Sequence, residues 1–245
     1  MNSSKWKGVA PSILVMIPTY NDTELISDIA GSIHDLLENC TVLIIDDGSS
    51  PSVKMLDISE NSLLAILPTN FGLGMAMHIA LDHQIDKSYD ILVRVDADGQ
   101  HPIENIPNLI APIAAGQASY VVGNRSNRDK GAGIRSWLAK FVRSYMSMVI
   151  RLVSGKSMPD DVTSGFIALD LKAAKVLNQT VLEQYPEPQM SLLVGRSNLK
   201  VSQILFDQND RAFGKSTISV GQALRFLYRF NIIVLASLFQ SGPRI

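Results

Sequence analysis

Two aspartates one residue apart, Asp96 and Asp98, follow the apolar run Ile91-Leu92-Val93-Arg94-Val95 and lead at once into Gly99-Gln100-His101-Pro102. Paired carboxylates just beyond a buried strand can meet a hard divalent cation, which takes oxygen ligands and keeps positions open for substrate phosphates. A cation bridging a diphosphate would neutralise charge on a leaving group and orient it. The other reading of the pair is an Asp-rich surface turn. A second pair, Asp46-Asp47, closes the run Val42-Leu43-Ile44-Ile45 and opens Gly48-Ser49-Ser50-Pro51. A carboxylate there can accept hydrogen bonds from the edge of a nucleobase, or the pair can cap the start of a helix. Behind a third apolar run, Ile13 to Ile17, the segment Pro18-Thr19-Tyr20-Asn21-Asp22 offers an aromatic face for stacking and a carboxylate for ribose hydroxyls. Its alternative is a simple turn.

These clusters act together only if a scaffold brings them to one place. Apolar runs at Ile13–Ile17, Val42–Ile45, Leu63–Leu67, Ile91–Val95 and Tyr120–Gly123 predict strands. Between them, apolar residues recur at three- and four-residue spacing over Ile26–Leu37, Gly74–Ile85 and Ile106–Ala115, the period of helices with one buried face. Strand and helix alternating at this rhythm predict right-handed crossovers and a mostly parallel sheet flanked by helices in one α/β domain. Near-continuous apolar strands agree, because both faces of such a sheet are covered. Ligands of open sheets bind beyond the carboxyl ends of the strands, where the polar clusters at Pro18–Asp22, Asp46–Ser50, Asn70–Gly74 and Asp96–His101 fall. Further on, Arg125–Gly133 reads as a polar loop, Arg135–Val153 as a long helix, and Asp160–Leu169 as a loop leading into a strand. Leu171–Leu177 reads as a helix and Val201–Phe206 as a late strand before the basic loop Arg211-Ala212-Phe213-Gly214-Lys215-Ser216. Trp137 and the apolar face around Met146 and Met148 are expected in the core.

Bulk properties narrow the function classes. The 245 residues are 46% apolar and 18% charged, which excludes a disordered or low-complexity chain. Lys and Arg number 22 against 23 Asp and Glu, so no basic field exists to hold a nucleic-acid backbone, and no nucleic-acid partner is expected. A single cysteine, Cys40, cannot form an internal disulfide and fits a reducing compartment. Met1–Ala10 carries two lysines but no apolar run behind a small-residue cleavage site, so no signal peptide is expected. The apolar tail Val220–Phe239 is interrupted by Arg225, Arg229 and Asn231. Its longest uncharged stretch, Phe230–Gly242, is shorter than the ~20 residues of a spanning helix. The tail's apolar face suits either a membrane interface or packing against the domain or a second subunit.

Taken as a set, Ile17-Pro18-Thr19-Tyr20-Asn21-Asp22, Ile44-Ile45-Asp46-Asp47-Gly48-Ser49, Asn70-Phe71-Gly72-Leu73-Gly74 and Val95-Asp96-Ala97-Asp98-Gly99-Gln100-His101-Pro102 resemble glycosyltransferase family 2. That family has the GT-A fold and uses nucleotide-diphospho-sugars with inversion. Val122-Gly123-Asn124-Arg125, Asp161-Val162-Thr163-Ser164-Gly165-Phe166 and Arg211-x-x-Gly214-Lys215-Ser216 resemble, more narrowly, the dolichyl/polyprenyl-phosphate mannosyltransferase branch. They also resemble related bacterial transferases of surface-polysaccharide assembly, which share a segment like Tyr185-Pro186-Glu187-Pro188. The resemblance runs from about Ile13 to Ser219 and implies a GT-A domain over residues 1–219 with a helical interface- or partner-binding tail over 220–245.

The resemblance implies roles residue by residue. Pro18, Tyr20 and Asp22 would hold the base and ribose, Asp47 would read the base, and Asp96, Ala97 and Asp98 would receive the ribose and diphosphate. Asp96 and Asp98, with Gln100, would hold Mg²⁺ or Mn²⁺. Arg125, Arg211, Lys215 and Ser216 would gather phosphate oxygens of donor and acceptor. Asp98, Arg125, Arg211 and Glu187 are the candidate catalytic groups. The donor would be GDP-, UDP- or dTDP-linked. Leu73 stands where many relatives carry a basic residue, and Ile167 where an Arg often follows Gly-Phe.

Two acceptors imply two mechanisms. A polyprenyl phosphate brings an anionic oxygen, so alignment and positive charge suffice. A saccharide hydroxyl, as in O-antigen assembly, needs a carboxylate base within hydrogen-bond reach, for which Glu187 and Asp161 are candidates; loop acid and turn cap are their plainer readings. The resemblance further implies a cytoplasmic protein, peripheral at the inner face of the membrane, with a small membrane protein or a second copy of the chain as partners. A haloacid-dehalogenase-type phosphatase is disfavoured because the first strand ends in Pro18-Thr19-Tyr20 rather than a nucleophile pair, and a non-catalytic nucleotide-binding subunit because Asp96 and Asp98 are intact.

Overall fold

The computed structural model describes residues 10–53, 61–126, 134–209 and 220–239. Seven strands form one sheet: β1 (Ile13–Thr19), β2 (Cys40–Asp46), β3 (Ser62–Ile66), β4 (Ile91–Arg94), β5 (Tyr120–Arg125), β6 (Ile167–Asp170) and β7 (Val201–Phe206). Their order is β3-β2-β1-β4-β6-β5-β7. β3, β2, β1 and β4 run parallel, as do β5 and β7, while β6 is antiparallel to both β4 and β5. The expected α/β architecture with a mostly parallel sheet stands, and the reversed β6 is the element that alternation alone did not predict.

Helices cover both faces: α1 (Ile26–Leu36), α2 (Leu73–Lys87), α3 (Ile106–Ala114), α4 (Ile134–Ser154), α5 (Leu171–Leu177), α6 (Glu187–Arg196) and α7 (Val220–Phe239). Alternate residues of β1 divide the core. Ile13, Val15 and Ile17 face a cluster with Ile26, Ile29 and Ile33 of α1 and Leu109 of α3. Leu14 and Met16 face one with Met77 and Leu81 of α2 and Val176 of α5. The period of two in the strand and of three to four in the helices is what lets each element bury one set of residues. A third cluster joins Met146 and Ile150 of α4, Leu192 of α6, and Phe230 and Val234 of α7. The C-terminal helix is therefore packed on the body of the domain.

One helix was not foreseen, and one sequence expectation is corrected. Tyr185–Pro188 leads into a helix, α6, which two prolines disguise; Pro188 sits in the first turn, where a missing N–H costs no helical bond. Trp137 and Met148 are 65% and 60% exposed, so only Met146 of that group lies in the core. The apolar period of α4 supplies a buried face and, in addition, an uncovered one.

Close approach of backbone governs how α2 meets the segment before α6. A Cβ on Gly74 would lie 2.2 Å from the Glu183 carbonyl oxygen and 2.5 Å from that of Leu182. Gly31, inside α1, has nothing within 4 Å of the same position. Gly74→Ala should destabilise the protein by roughly 1–3 kcal/mol through overpacking. Gly31→Ala should stabilise it by up to about 1 kcal/mol through helix propensity. Denaturant unfolding of the two variants checks the opposite signs.

Candidate active site

β1 is the strand from which the chain passes first to β2 and then, across the sheet, to β4. A crevice forms at the carboxyl ends where the order reverses in this way. Register brings the ends level: Thr19 pairs with Asp46, the Asp47 N–H donates to the Thr19 carbonyl at 2.9 Å, and the Val95 N–H donates to that of Met16 at 3.0 Å. The crevice is a cleft of about 370 Å³, and Pro18, Tyr20, Asp22, Asp47, Asp96, Ala97 and Asp98 all line it. The carboxylates predicted to converge do so. Tyr20 is 50% exposed, leaving its ring face open at the rim.

The two carboxylates after β2 divide their work. Asp46 is fully buried and builds the turn: one oxygen accepts from the Ser49 N–H at 2.8 Å, the other from the Ser52 hydroxyl at 2.6 Å and the Val53 N–H at 2.8 Å. Burial pushes its carboxyl up, and these donors outweigh burial and hold it below the usual range. Asp47 accepts from the Phe71 N–H at 2.7 Å and the Gly72 N–H at 2.8 Å, so it fastens the Asn70–Gly74 loop against β2. Each oxygen keeps a second lone pair for a ligand in the cleft.

Asp96 is clasped from three sides. Its Oδ1 accepts from Arg94 Nε at 2.9 Å and Nη2 at 2.8 Å. Arg94 is 3% exposed, and its Nη1 donates to Glu187 Oε1 at 2.8 Å. His101 Nδ1 accepts from the Asp96 N–H at 3.0 Å, which leaves its ring proton on Nε2, 3.7 Å from Asp96 Oδ2. The ring stacks on Phe166 with centroids 5.0 Å apart. Room for the clasp depends on Gly165, whose Cβ would lie 2.6 Å from Arg94 Nη2 and 2.9 Å from Asp96 Oδ2. Burial alone would raise the Asp96 carboxyl; Arg94 foremost, and His101 after it, hold it below the usual range. Burial opposes the charge on Arg94, and Asp96 and Glu187 more than restore it.

Asp98 Oδ1 accepts from the Gln100 N–H at 3.1 Å. The turn is tied to the exit of β7: Asn209 donates from its N–H to the Gln100 carbonyl at 3.1 Å and from Nδ2 to that of Gly99 at 3.4 Å. Among the described residues, no group of three His, Cys, Asp or Glu side chains is placed to hold a metal alone. Asp96 and Asp98 suit the other arrangement, in which one or two carboxylates and a ligand's phosphates complete the sphere of a hard cation. Arg94 occupies Asp96 Oδ1, which makes Oδ2 the atom of that residue left for a cation.

Among the described residues, the predicted Gln100, Arg125 and Glu187 are not part of the cleft lining. Gln100 contributes its backbone to the turn. Arg125 is engaged through Nε by Asp161 at 2.6 Å and through Nη2 by Thr163 at 3.4 Å. Glu187, at the start of α6, is 9% exposed with its carboxylate on Arg94. Arg211, Lys215 and Ser216 lie outside the described residues. Sequence reasoning did not single out Arg94, Gly165 or Gln184, although Arg94, the one charge in an apolar strand, was a usable signal. Gln184 and Tyr185 also line the cleft.

Burial, only partly offset by Asp96, lowers the affinity of His101 for a proton below the ordinary value. The unfolded chain takes up that proton near pH ~6.5. A group with a depressed folded value contributes stability that is complete above the unfolded value and lost as pH falls. The unfolding midpoint should therefore drop between about pH 7 and 5 as His101 contributes, and its ring resonances should titrate below the ordinary histidine range. An NMR midpoint at or above about 6.5 would contradict this.

The chain matches the model of the family described as glycosyl transferase family 2 over residues 14–177. It is 25% identical over 233 residues to an undecaprenyl-phosphate mannosyltransferase from Micrococcus luteus, covering 90% of this chain and 94% of that protein. It is 29% identical over 167 residues to a polyprenol monophosphomannose synthase from Mycolicibacterium smegmatis, covering 63% of this chain and 60% of that one. In structure it is similar to glucosyl-3-phosphoglycerate synthase from Mycobacterium tuberculosis, solved with Mn²⁺, UDP and phosphoglyceric acid. The TM-score is 0.68 at 17% identity, over 93% of this chain and 78% of that one. With the strand-end aspartates in one cleft of a GT-A-like sheet and the family matched over most of its length, the chain belongs to glycosyl transferase family 2.

Proposed function

We propose that this protein transfers a glycosyl group, with inversion, from a nucleotide-diphospho-sugar to a polyprenyl phosphate. The observation that carries the reading is the convergence of Asp47, Asp96 and Asp98 on the cleft that Tyr20 borders. In it, Tyr20 stacks on the base, Pro18 and Asp22 hold base and ribose, Asp47 reads the base edge, and Asp96 with Ala97 and Asp98 receives the diphosphate. The donor's nucleotide is GDP, UDP or dTDP. Asp96 and Asp98 would hold Mg²⁺ or Mn²⁺, which when bound neutralises charge on the departing nucleoside diphosphate. Arg211, Lys215 and Ser216 are proposed to gather phosphate oxygens around it, while Arg125, paired with Asp161, is not free for that role as it stands.

The acceptor reading draws on relatives named for polyprenyl-phosphate transfer and on a second cavity. It measures about 150 Å³ and shares Gln184 and Tyr185 with the donor cleft. Tyr185, Phe226, Phe230 and Ile233 give it apolar walls and Arg225 a cationic group, while Arg229 is paired with Glu183 of the same lining. Apolar cavities of about this volume take a benzene-sized guest, and a five-carbon isoprene unit is of that size. An acceptor phosphate beside the donor presents an oxygen that is already anionic. It attacks the anomeric carbon from the face opposite the leaving diphosphate, and no strong base is required. Glu187, held by Arg94, is not placed to serve as one.

No described helix is long and apolar enough to cross a membrane. We place the protein on the cytoplasmic membrane surface through the uncovered faces of α4 and α7. Trp137, Phe141, Met148 and Leu152 are exposed on α4, and Leu224, Tyr228, Leu235 and Leu238 on α7. In this reading the 220–245 tail is an interface element whose described part, α7, also packs on the domain.

Two measurements test the reading. An acceptor panel with one labelled donor should yield label in extractable lipid; label only in oligosaccharide would favour the saccharide-hydroxyl alternative. In the same assay Asp98→Ala should cut turnover by at least about 100-fold while leaving the unfolding midpoint in place. In flotation, wild-type protein should rise with anionic vesicles, and Trp137→Ser/Tyr228→Ser should weaken that binding severalfold. Equal recovery of both proteins would remove the interface assignment.

A further inference from the structure

Glu187 is the one acid of the Tyr185–Pro188 motif, and the function above gives it no chemical step. Its position explains it differently. The Arg94 guanidinium is buried at the end of β4 and reaches two carboxylates at once: Asp96 through Nε and Nη2, Glu187 through Nη1. Gly165 keeps the remaining side clear, since any Cβ there would fall within 3 Å of Arg94 and Asp96. Of the neighbouring described groups, Arg125 is paired with Asp161, and His101 accepts a hydrogen bond at Nδ1 as a neutral ring does.

The charge balance then turns on Glu187. Arg94 with Asp96 alone is a neutral pair, and a cation approaching Asp96 Oδ2 would meet a carboxylate already compensated. With Glu187, the cluster Arg94, Asp96 and Glu187 carries net −1, so a cation approaching Asp96 Oδ2 meets uncompensated negative charge. We propose that Glu187 is a positioning residue that offsets the Arg94 charge, so that the cluster presents net negative charge to a metal at Asp96 Oδ2 while Arg94 still holds Oδ1 in place. The proposal rests on the metal-assisted reading of Asp96 and Asp98. It goes beyond that reading by giving a buried acid of α6, outside the cleft, control over cation affinity. Because α6 begins directly after Gln184 and Tyr185, which wall both cavities, one guanidinium links the acceptor side of the site to its diphosphate side.

The test is Mn²⁺ binding to the full chain, followed by the EPR signal of free Mn²⁺, with no nucleotide or activity involved. Glu187→Gln keeps the shape and a hydrogen-bond acceptor but removes the charge, and should weaken Mn²⁺ binding by about tenfold or more. Glu187→Asp keeps the charge and should lie close to wild type. The double variant Arg94→Met/Glu187→Gln returns the cluster to net −1 and should bind Mn²⁺ more tightly than Glu187→Gln, which holds even if the single variant is poorly folded. Unchanged Mn²⁺ affinity in Glu187→Gln, with the unfolding midpoint retained, overturns the proposal alone. So does a collapse of kcat and loss of one limb of the pH–rate profile at unchanged metal affinity, the signature of a general base. Wild-type protein that binds no Mn²⁺ overturns the metal reading and this proposal with it.

Discussion

A guanidinium cannot remain charged inside an apolar sheet unless carboxylates surround it, because desolvation of an isolated ion costs far more than the fold can supply. Arg94 sits at the end of β4 under that constraint, and the site is arranged around its solution. Asp96 must turn back toward its own strand to meet Nε and Nη2, Glu187 must arrive from α6 to meet Nη1, and the backbone at Gly165 must come close enough to seal the pair. Three segments distant in sequence are thereby pinned to one another at the point where a diphosphate would lie.

The donor side depends on a different device, the conversion of carboxylates into loop fasteners. Asp46 folds the Gly48–Val53 turn, and Asp47 ties the Asn70–Gly74 loop to the end of β2. Both use backbone N–H groups that would otherwise lie unpaired in half-buried loops. Loops fixed in this way form a rigid cleft wall, and a preorganised wall binds without first having to be ordered. Asn209, just after β7, is bonded to the Gly99–Gln100 turn and so ties the end of β7 to the segment that follows Asp98.

Beyond α6 the same chain leaves apolar side chains exposed on α4 and α7. α7 places Phe230 and Val234 in a core with α4 and leaves Leu224, Tyr228 and Leu235 outside. The Tyr145 hydroxyl donates to Asn231 Oδ1 at 2.7 Å, and Arg229 meets Glu183 at 3.0 Å. These bonds fix α7 against both α4 and the segment that walls the second cavity. A helix with two apolar faces can serve packing and surface attachment together, which is why its period alone did not separate the two uses.

Local patterns by themselves determined much of this protein. The apolar runs at Ile13–Ile17, Val42–Ile45 and Ile91–Val95, followed at once by polar clusters, already specify buried strands with a ligand at their carboxyl ends, because strand period and chain connectivity leave few other topologies. Tyr20, Asp47, Asp96 and Asp98 were legible for that reason. Only the tertiary structure decided that β6 runs antiparallel, that the two-proline segment opens α6, that Trp137 faces outward, and that Arg125 and Glu187 are engaged by Asp161 and Arg94. Each of these depends on which distant partner a residue meets. An ion pair such as Arg94–Glu187 spans more than ninety positions, so its existence is set by packing geometry and desolvation, neither of which leaves a periodic mark on the chain.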